Sequence, residues 1–367
     1  MEESANEKVA GVSFAILFGP HQDAVSYERV EEFLNQAVRY AAEQAEVSPN
    51  QLVRVVHGNQ VTWMTQKQAA EFLQRHDTDA VRQDIERALK GELKFIRQEL
   101  EILLALAFYT LNQFKKKNLI STEEIAKLEP SLKRRQAEIN EGITQTAESE
   151  AILKEKRRRS PILDQYEQMM GEFLNAQKEG LGEQVNVLAK ELGAKKRQYL
   201  LQARAVEPDV YTIYFHRLNL QKTKKRILGT QTELCSTRKD TLQFEVNELQ
   251  DNLLSVREQS MMAETEGLDS AASEIKRMRV YDLETKEQEL AEKKSELCAL
   301  EQETQVLELR QQEVQSVIEH ISVNVFQEAE LKVDMQEITR SVHKPITPST
   351  PQGMPAGDKG NVMYRKL

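Results

Sequence analysis

The chain has 367 residues, 30% of them charged and only 6% aromatic, with 9 prolines and a formal net charge of −9. Its surplus of Glu, Gln, Lys, Leu and Ala is the profile of long surface helices and argues against two or three ordinary globular domains. So mild an acidic balance gives no global reason to expect nucleic acid as a partner, and the two cysteines, Cys235 and Cys298, form neither a CxxC pair nor a zinc set.

Residues 1–8 read as disordered, and 9–77 as a small α+β head of order β-α-β-β-α. The run 12–18 (VSFAILF), closed by Gly19-Pro20, predicts a buried strand. Residues 26–47 have helical spacing through Val30, Phe33, Leu34, Ala37, Val38 and Ala41, and Pro49 stops that helix. Two apolar runs, 52–56 and 61–64, flank His57-Gly58-Asn59 and predict a hairpin. Thr65 and Gln68 then make a capping box for a helix carrying Ala69, Phe72 and Leu73. A head this small buries a modest core and gains from packing on the helices C-terminal to it.

A helical region is expected over 78–205, with helices at about 79–117, 122–159 and 161–204. In the first, Ile85, Leu89, Ile96, Leu100, Leu103, Ala107, Leu111 and Phe114 recur at threes, fours and sevens. Around 100–111 it is apolar on more than one face, which predicts more than one neighbour. Ser121 and Glu124 form a second capping box, and Pro130 predicts either a later start or a kink. Ser160-Pro161 restarts the pattern as N-cap and first helical residue. Ile162, Tyr166, Met169 and Phe173 then share a face. A shifted face, beyond Gly180 and Gly182, holds Leu181, Val185, Leu188, Leu192 and Tyr199. Glu207-Pro208-Asp209 is expected to interrupt the helix again.

Two coiled-coil segments come next, at 209–260 and 274–340. The first has the seam Leu242, Val246, Leu249, Leu253 and Val256, which Cys235 extends backwards as a small buried hydrophobe. One seam position of the second carries Leu283, Leu290, Leu297, Thr304, Gln311, Ile318 and Val325; the other carries Lys286, Lys293, Leu300, Leu307, Val314 and Ile321. The two registers are out of phase, so a hinge is expected at 261–273, a stretch containing Gly267. Residues 341–367 read as a disordered tail. The fold class is therefore mainly α: an extended coiled-coil and helical-bundle protein with a small α+β head.

Chemistry-bearing motifs are lacking. The six histidines are scattered without a metal or catalytic spacing, so no catalytic, cofactor-binding or metal residue is assigned and no enzyme is expected. An enzyme would require a cavity with convergent polar groups where the head meets the 96–114 helix. Three basic groups could meet an acidic partner: Lys154, Lys156, Arg157, Arg158 and Arg159; Lys222, Lys224, Lys225 and Arg226; and the smaller Lys133, Arg134 and Arg135. Each is equally what helix ends and solvated faces provide. Interleaved aromatics for base stacking are missing, which excludes sequence-specific single-strand binding.

An internal counter-charge is also available, because residues 282–313 hold ten acidic and four basic side chains and could fold against 154–159 or 222–226. The polar seam residues select register and partner, which points to a hetero-oligomer of coiled-coil chains. Ser160, Thr347 and Thr350 precede prolines and are candidate phosphorylation positions, while Pro345, Pro348 and Pro351 recur at the polyproline repeat.

No leader is read in the acidic start, and the most apolar run, Ile102 to Leu111, is half the roughly 20 residues a bilayer span needs. These features together predict a non-enzymatic scaffold or adaptor subunit in the cytoplasm. A cytoskeletal setting (microtubule, centrosome or spindle) comes from what long coils do as a class rather than from any residue. A membrane-trafficking tether is the alternative, as is a nuclear chromatin-associated coil using 154–159 for import.

Overall fold

The computed structural model describes residues 10–13, 27–57, 60–74, 78–265 and 272–327. Its three strands and eight α-helices run in the order β1 (Ala10–Ser13), α1 (Tyr27–Ala45), β2 (Val53–His57), β3 (Gln60–Met64), α2 (Gln66–Gln74), α3 (Thr78–Lys90), α4 (Leu93–Lys116), α5 (Thr122–Arg159), α6 (Ile162–Glu179), α7 (Gly182–Thr265) and α8 (Ala272–Ile321). A π-helical turn, Ser322–Gln327, closes the described chain.

The strands form one antiparallel sheet of order β1-β3-β2, with Val12 opposite Val61 and Val55 opposite Thr62. Alternation sorts its side chains between two layers. Leu52, Val61 and Trp63 pack with Leu34, Ala37 and Ala41 of α1 and with Ile102, Ala105 and Leu106 of α4. Val53 and Val55 pack on the other side with Ala69 of α2 and Ala299 and Val306 of α8. Thr65 caps α2 as its capping box predicts, its Oγ1 accepting from the Gln68 amide at 3.3 Å. Of the expected strand 12–18, residues 14–18 lie outside the described residues, as do turn residues 58 and 59.

The largest core joins five helices. Leu100, Leu103, Leu104 and Leu111 of α4 meet Leu128, Leu132 and Ile139 of α5, Leu220, Ile227 and Leu234 of α7, and Leu307, Val314, Ile318 and Ile321 of α8; Ala88 adds α3. α4 is thus the wall between this core and the head, because its Ile102, Ala105 and Leu106 pack with the sheet and α1. α5 and α7 approach closely at Gly142, where an added Cβ would lie 2.7 Å from Leu220 Cδ2. Gly142→Leu is therefore expected to overpack this contact and cost about 1–3 kcal/mol, read as a lower urea midpoint. An unchanged midpoint would mean the two helices can separate freely there.

Four expectations need correction. The single helix at 79–117 is two, because the chain turns at Gly91, whose Cβ would fall 2.3 Å from the Arg87 carbonyl oxygen. Glu92, in extended conformation, then starts α4. Of the two readings at Pro130, the later start is corrected: α5 begins at Thr122 under the Ser121–Glu124 box, with Pro130 inside it. Ser160 ends α5 rather than capping α6, which starts one residue after Pro161; Gly180, at φ +72°, turns the chain into α7. Glu207-Pro208-Asp209 does not interrupt α7. Removing a helix hydrogen bond at proline costs about 3 kcal/mol, but Val206, Ile213, Leu220 and Ile227 are buried at sevens across it. That burial outweighs the proline.

The extended form of the two coils is likewise corrected. α8 lies antiparallel on α7: Arg257 pairs with Glu287, Lys293 with Glu245 at 2.7 Å, Arg238 with Glu296 at 3.1 Å, and Lys225 donates to Gln315 at 2.8 Å. The seam residues Leu242, Val246, Leu253, Leu307, Val314, Ile318 and Ile321 are buried, and Leu249, Leu283, Leu290, Leu297 and Leu300 half-buried, within this one chain. Joining the partners by a short connection makes the pairing intramolecular, at high effective concentration. Of the expected hinge, residues 266–271 lie outside the described residues; so do 328–340 of the second coil, and the tail with Thr347, Thr350 and its prolines.

Candidate functional site

Where the head meets the bundle, a cleft of about 270 Å³ opens between α1, the Pro49–Leu52 corner, α4 and the α7–α8 pair. β2 places Arg54 there, between α4 and α8, because Arg54 alternates with the inward-facing Val53 and Val55. Its guanidinium donates to Glu303 Oε1 at 2.7 Å and to Thr110 Oγ1 at 3.0 Å. Deeper, Arg238 bridges Glu245 at 2.9 Å and Glu296 at 3.1 Å, tying α7 to itself and to α8. The Tyr109 hydroxyl donates to Asn35 Oδ1 at 2.8 Å and links α4 to α1. Polar groups do converge here, and they are used on one another.

Three ionisable groups of the cleft, Cys235, Tyr109 and Arg54, are moved away from neutral pH. Burial, reinforced by the Glu303 carboxylate, pushes the Cys235 thiol well above its ordinary range despite the nearby Arg54. A thiol so held is protonated and a poor nucleophile. Burial likewise raises Tyr109. Arg54 loses hydration, but its surroundings more than offset this and keep it charged, the facing Glu303 carboxylate contributing most. General acid–base work needs the opposite movement, toward the working pH.

A second knot lies beneath Val56. Lys224 Nζ donates to Glu99 Oε1 at 2.8 Å with both side chains buried. Beside it, Arg310 donates to the Val56 carbonyl at 3.2 Å, pairs with Glu313, and lies 3.8 Å from Asp84. Together these contacts join β2, α3, α4, α7 and α8. The Glu99–Lys224 pair does not announce itself in the sequence: the two are 125 positions apart, and no local spacing relates them.

The three basic groups scatter on folding. Lys156 pairs with Asp209 at 2.6 Å, Arg157 with Glu167, and Arg158 and Arg159 with Glu155 at 3.8 and 3.1 Å. Lys154 and Lys222 face water. Arg226 meets Glu138 at 3.3 Å. Lys133 pairs with Glu129 and Arg135 with Glu138, at 2.7 and 2.6 Å. The acidic stretch 282–313 pairs with Arg54, Arg238 and Arg257 in place of the expected 154–159 or 222–226 group. The polar seam residues also find partners inside the chain: Gln311 donates to Thr232 at 2.7 Å, and Thr304 to the Leu300 carbonyl at 2.8 Å. Ser160, at the α5–α6 corner, donates to Gln202 of α7 at 3.0 Å.

Among the described residues, no three His, Cys, Asp or Glu side chains gather as a metal site, and no helix is long and apolar enough to cross a membrane. No family model, curated protein or solved structure matches the chain.

Proposed function

We propose that the chain is a non-enzymatic scaffold or adaptor subunit of a multiprotein assembly, and that the assembly belongs to the microtubule cytoskeleton. The observation that carries this reading is α7: 84 residues in one helix, about 126 Å long at 1.5 Å per residue. α8 braces one half of it, and α5 and α6 brace the other. A braced rod of that length holds partners apart. The paired polar groups of the head junction support a holding role over a chemical one.

Lys154, Arg158 and Arg159 face water at the α5–α6 corner and suit an acidic filament surface. The purified assembly is expected to sediment with microtubules, less so as salt rises. Recovery on phosphatidylserine liposomes but not on microtubules would reject the cytoskeletal setting in favour of a trafficking tether.

A further inference from the structure

The part of α7 before its contact with α8 carries two seams. The inward one, with Leu188, Leu192, Val206 and Ile213, is buried on α5 and α6, and Tyr199 stacks on Tyr166 with ring centroids 4.1 Å apart. The outward one is exposed along its apolar positions. At sevens along it stand Val187, Ala194, Leu201, Pro208 and Phe215, all exposed, with Leu201 at 62%, Val187 at 59% and Phe215 at 50% of full exposure. Between them, three residues on each time, stand Lys190, Arg197, Arg204 and Tyr211. Alternation at threes and fours is the spacing by which one helix receives another.

We infer that this face, from Val187 to Phe215, docks an acid-bearing amphipathic helix supplied by a partner subunit; the inference rests on the scaffold reading. Charge is the first support. Lys190, Lys196, Arg197 and Arg204 are exposed and carry no ion pair among the described residues. Other cations are answered within the chain, as at Lys156–Asp209 and Arg226–Glu138.

Gly193 is the second. It sits inside the helix, where glycine costs about 1 kcal/mol relative to alanine, yet a Cβ there would meet nothing within 4 Å. No contact among the described residues accounts for it, whereas a close external helix would. It lies in a shallow groove of about 420 Å³ formed with Lys196, Arg197, Leu200, Leu201 and Arg204.

The pattern also selects the class of partner. A bilayer takes a broad apolar face with cations at its margins; here cations and apolar residues share one line. Length selects the source. The strip runs about 42 Å at 1.5 Å per residue. As a helix, residues 328–344, the stretch between the π turn and Pro345, would span about 25 Å, shorter than the strip.

Two synthetic helices of about four heptads test the inference against the full chain by fluorescence anisotropy. One carries leucine at one seam position and glutamate at the other; its twin carries lysine for glutamate. The acidic helix is expected to bind, and Arg197→Glu with Arg204→Glu to weaken it at least about tenfold and turn the preference to the lysine helix. Arg197→Lys with Arg204→Lys retains binding, as does Phe244→Glu on a remote exposed position. Equal binding of both helices, or indifference to the charge reversal, overturns the proposal. Binding that appears only after removal of 328–367 assigns the strip to the tail and overturns it too, as does binding of phosphatidylserine vesicles in place of the acidic helix. Native purification separates the two readings. Loss of a subunit with Leu201→Glu and Phe215→Glu supports the strip; an intact assembly with that variant rejects the strip and leaves the scaffold standing. A wild-type chain recovered alone rejects the scaffold, and the peptide result then decides the strip.

Discussion

Lys224→Ala is expected to destabilise the fold by about 3–5 kcal/mol, a large share of the roughly 5–15 kcal/mol that holds a protein together. The reason is the group left behind. Glu99 lies at the meeting of α4, α7 and α8, with Lys224 Nζ 2.8 Å from its carboxylate. Removing the ammonium strands a buried negative charge. Glu99→Ala strands the ammonium instead and should cost as much. Replacing both, as Glu99→Leu with Lys224→Met, removes the desolvation cost with the pair and should return stability close to the wild type or above it. Urea midpoints of the four proteins make the comparison. A Lys224→Ala cost below about 1 kcal/mol, the range of exposed pairs, would show that water reaches the site.

The same pair sets a pH dependence. Burial alone would raise the Glu99 pKa, but the Lys224 charge and hydrogen bond, helped by Arg87 and Arg310, hold it below the usual carboxylate value of 4.5. A carboxylate whose pKa falls on folding contributes stability above its unfolded pKa and loses it as pH drops through the folded value. Wild-type stability should therefore decline in acid. In Lys224→Ala the sign reverses, since the unpartnered buried carboxyl takes up a proton on folding. Its deficit against wild type should be greatest near neutrality and shrink below about pH 4–5.

Local signals were legible and distant ones were not. The Ser121–Glu124 box marks the start of α5 because capping is decided within one turn. The many-sided apolar stretch 100–111 announced that α4 would be shared between neighbours, and it separates two cores. Proline and glycine misled in opposite directions. The sevens from Tyr199 through Val206, Ile213, Leu220, Ile227 and Leu234 cross Pro208 without a shift, and that continuity outweighs the proline. The seven from Leu89 to Ile96 also looks continuous, yet the helix breaks between them, because the turn at Gly91 sends α3 against α8.

The seams could be read from the sequence, but whether they meet each other or another chain could not. Apolar spacing is the same in both cases, and the choice falls to a connection between α7 and α8 that carries no periodic signal. The basic groups failed for a related reason. Lys156 and Asp209 are 53 positions apart, and their pairing exists only once α5 lies along α7. The cations that stay unanswered among the described residues, Lys190, Arg197 and Arg204, stand at sevens along α7 with Lys196 beside them, a sparser signal than the dense clusters at 154–159 and 222–226.

Closure of the α7–α8 seam within one chain has a direct thermodynamic consequence. The unfolding midpoint should not change over a hundredfold range of protein concentration, because association that stabilises a fold makes the midpoint concentration-dependent. Adjacent residues of α7 sharpen the test. Leu242 is fully buried against α8, while Phe244, two positions on, is 70% exposed. Leu242→Ala should cost about 2–5 kcal/mol. Leu242→Asp adds an unpaired buried charge, worth several kcal/mol more, and should free α8 from α7 or unfold the body. Phe244→Asp should stay within about 0.5 kcal/mol of the wild type. Circular dichroism through a urea titration, at two protein concentrations, measures all three. An oligomeric seam predicts a different outcome: a midpoint that climbs with concentration, and a Leu242→Asp chain that remains helical at high concentration. Either result would place the partner of Leu242 on another chain and reopen the fold-back itself.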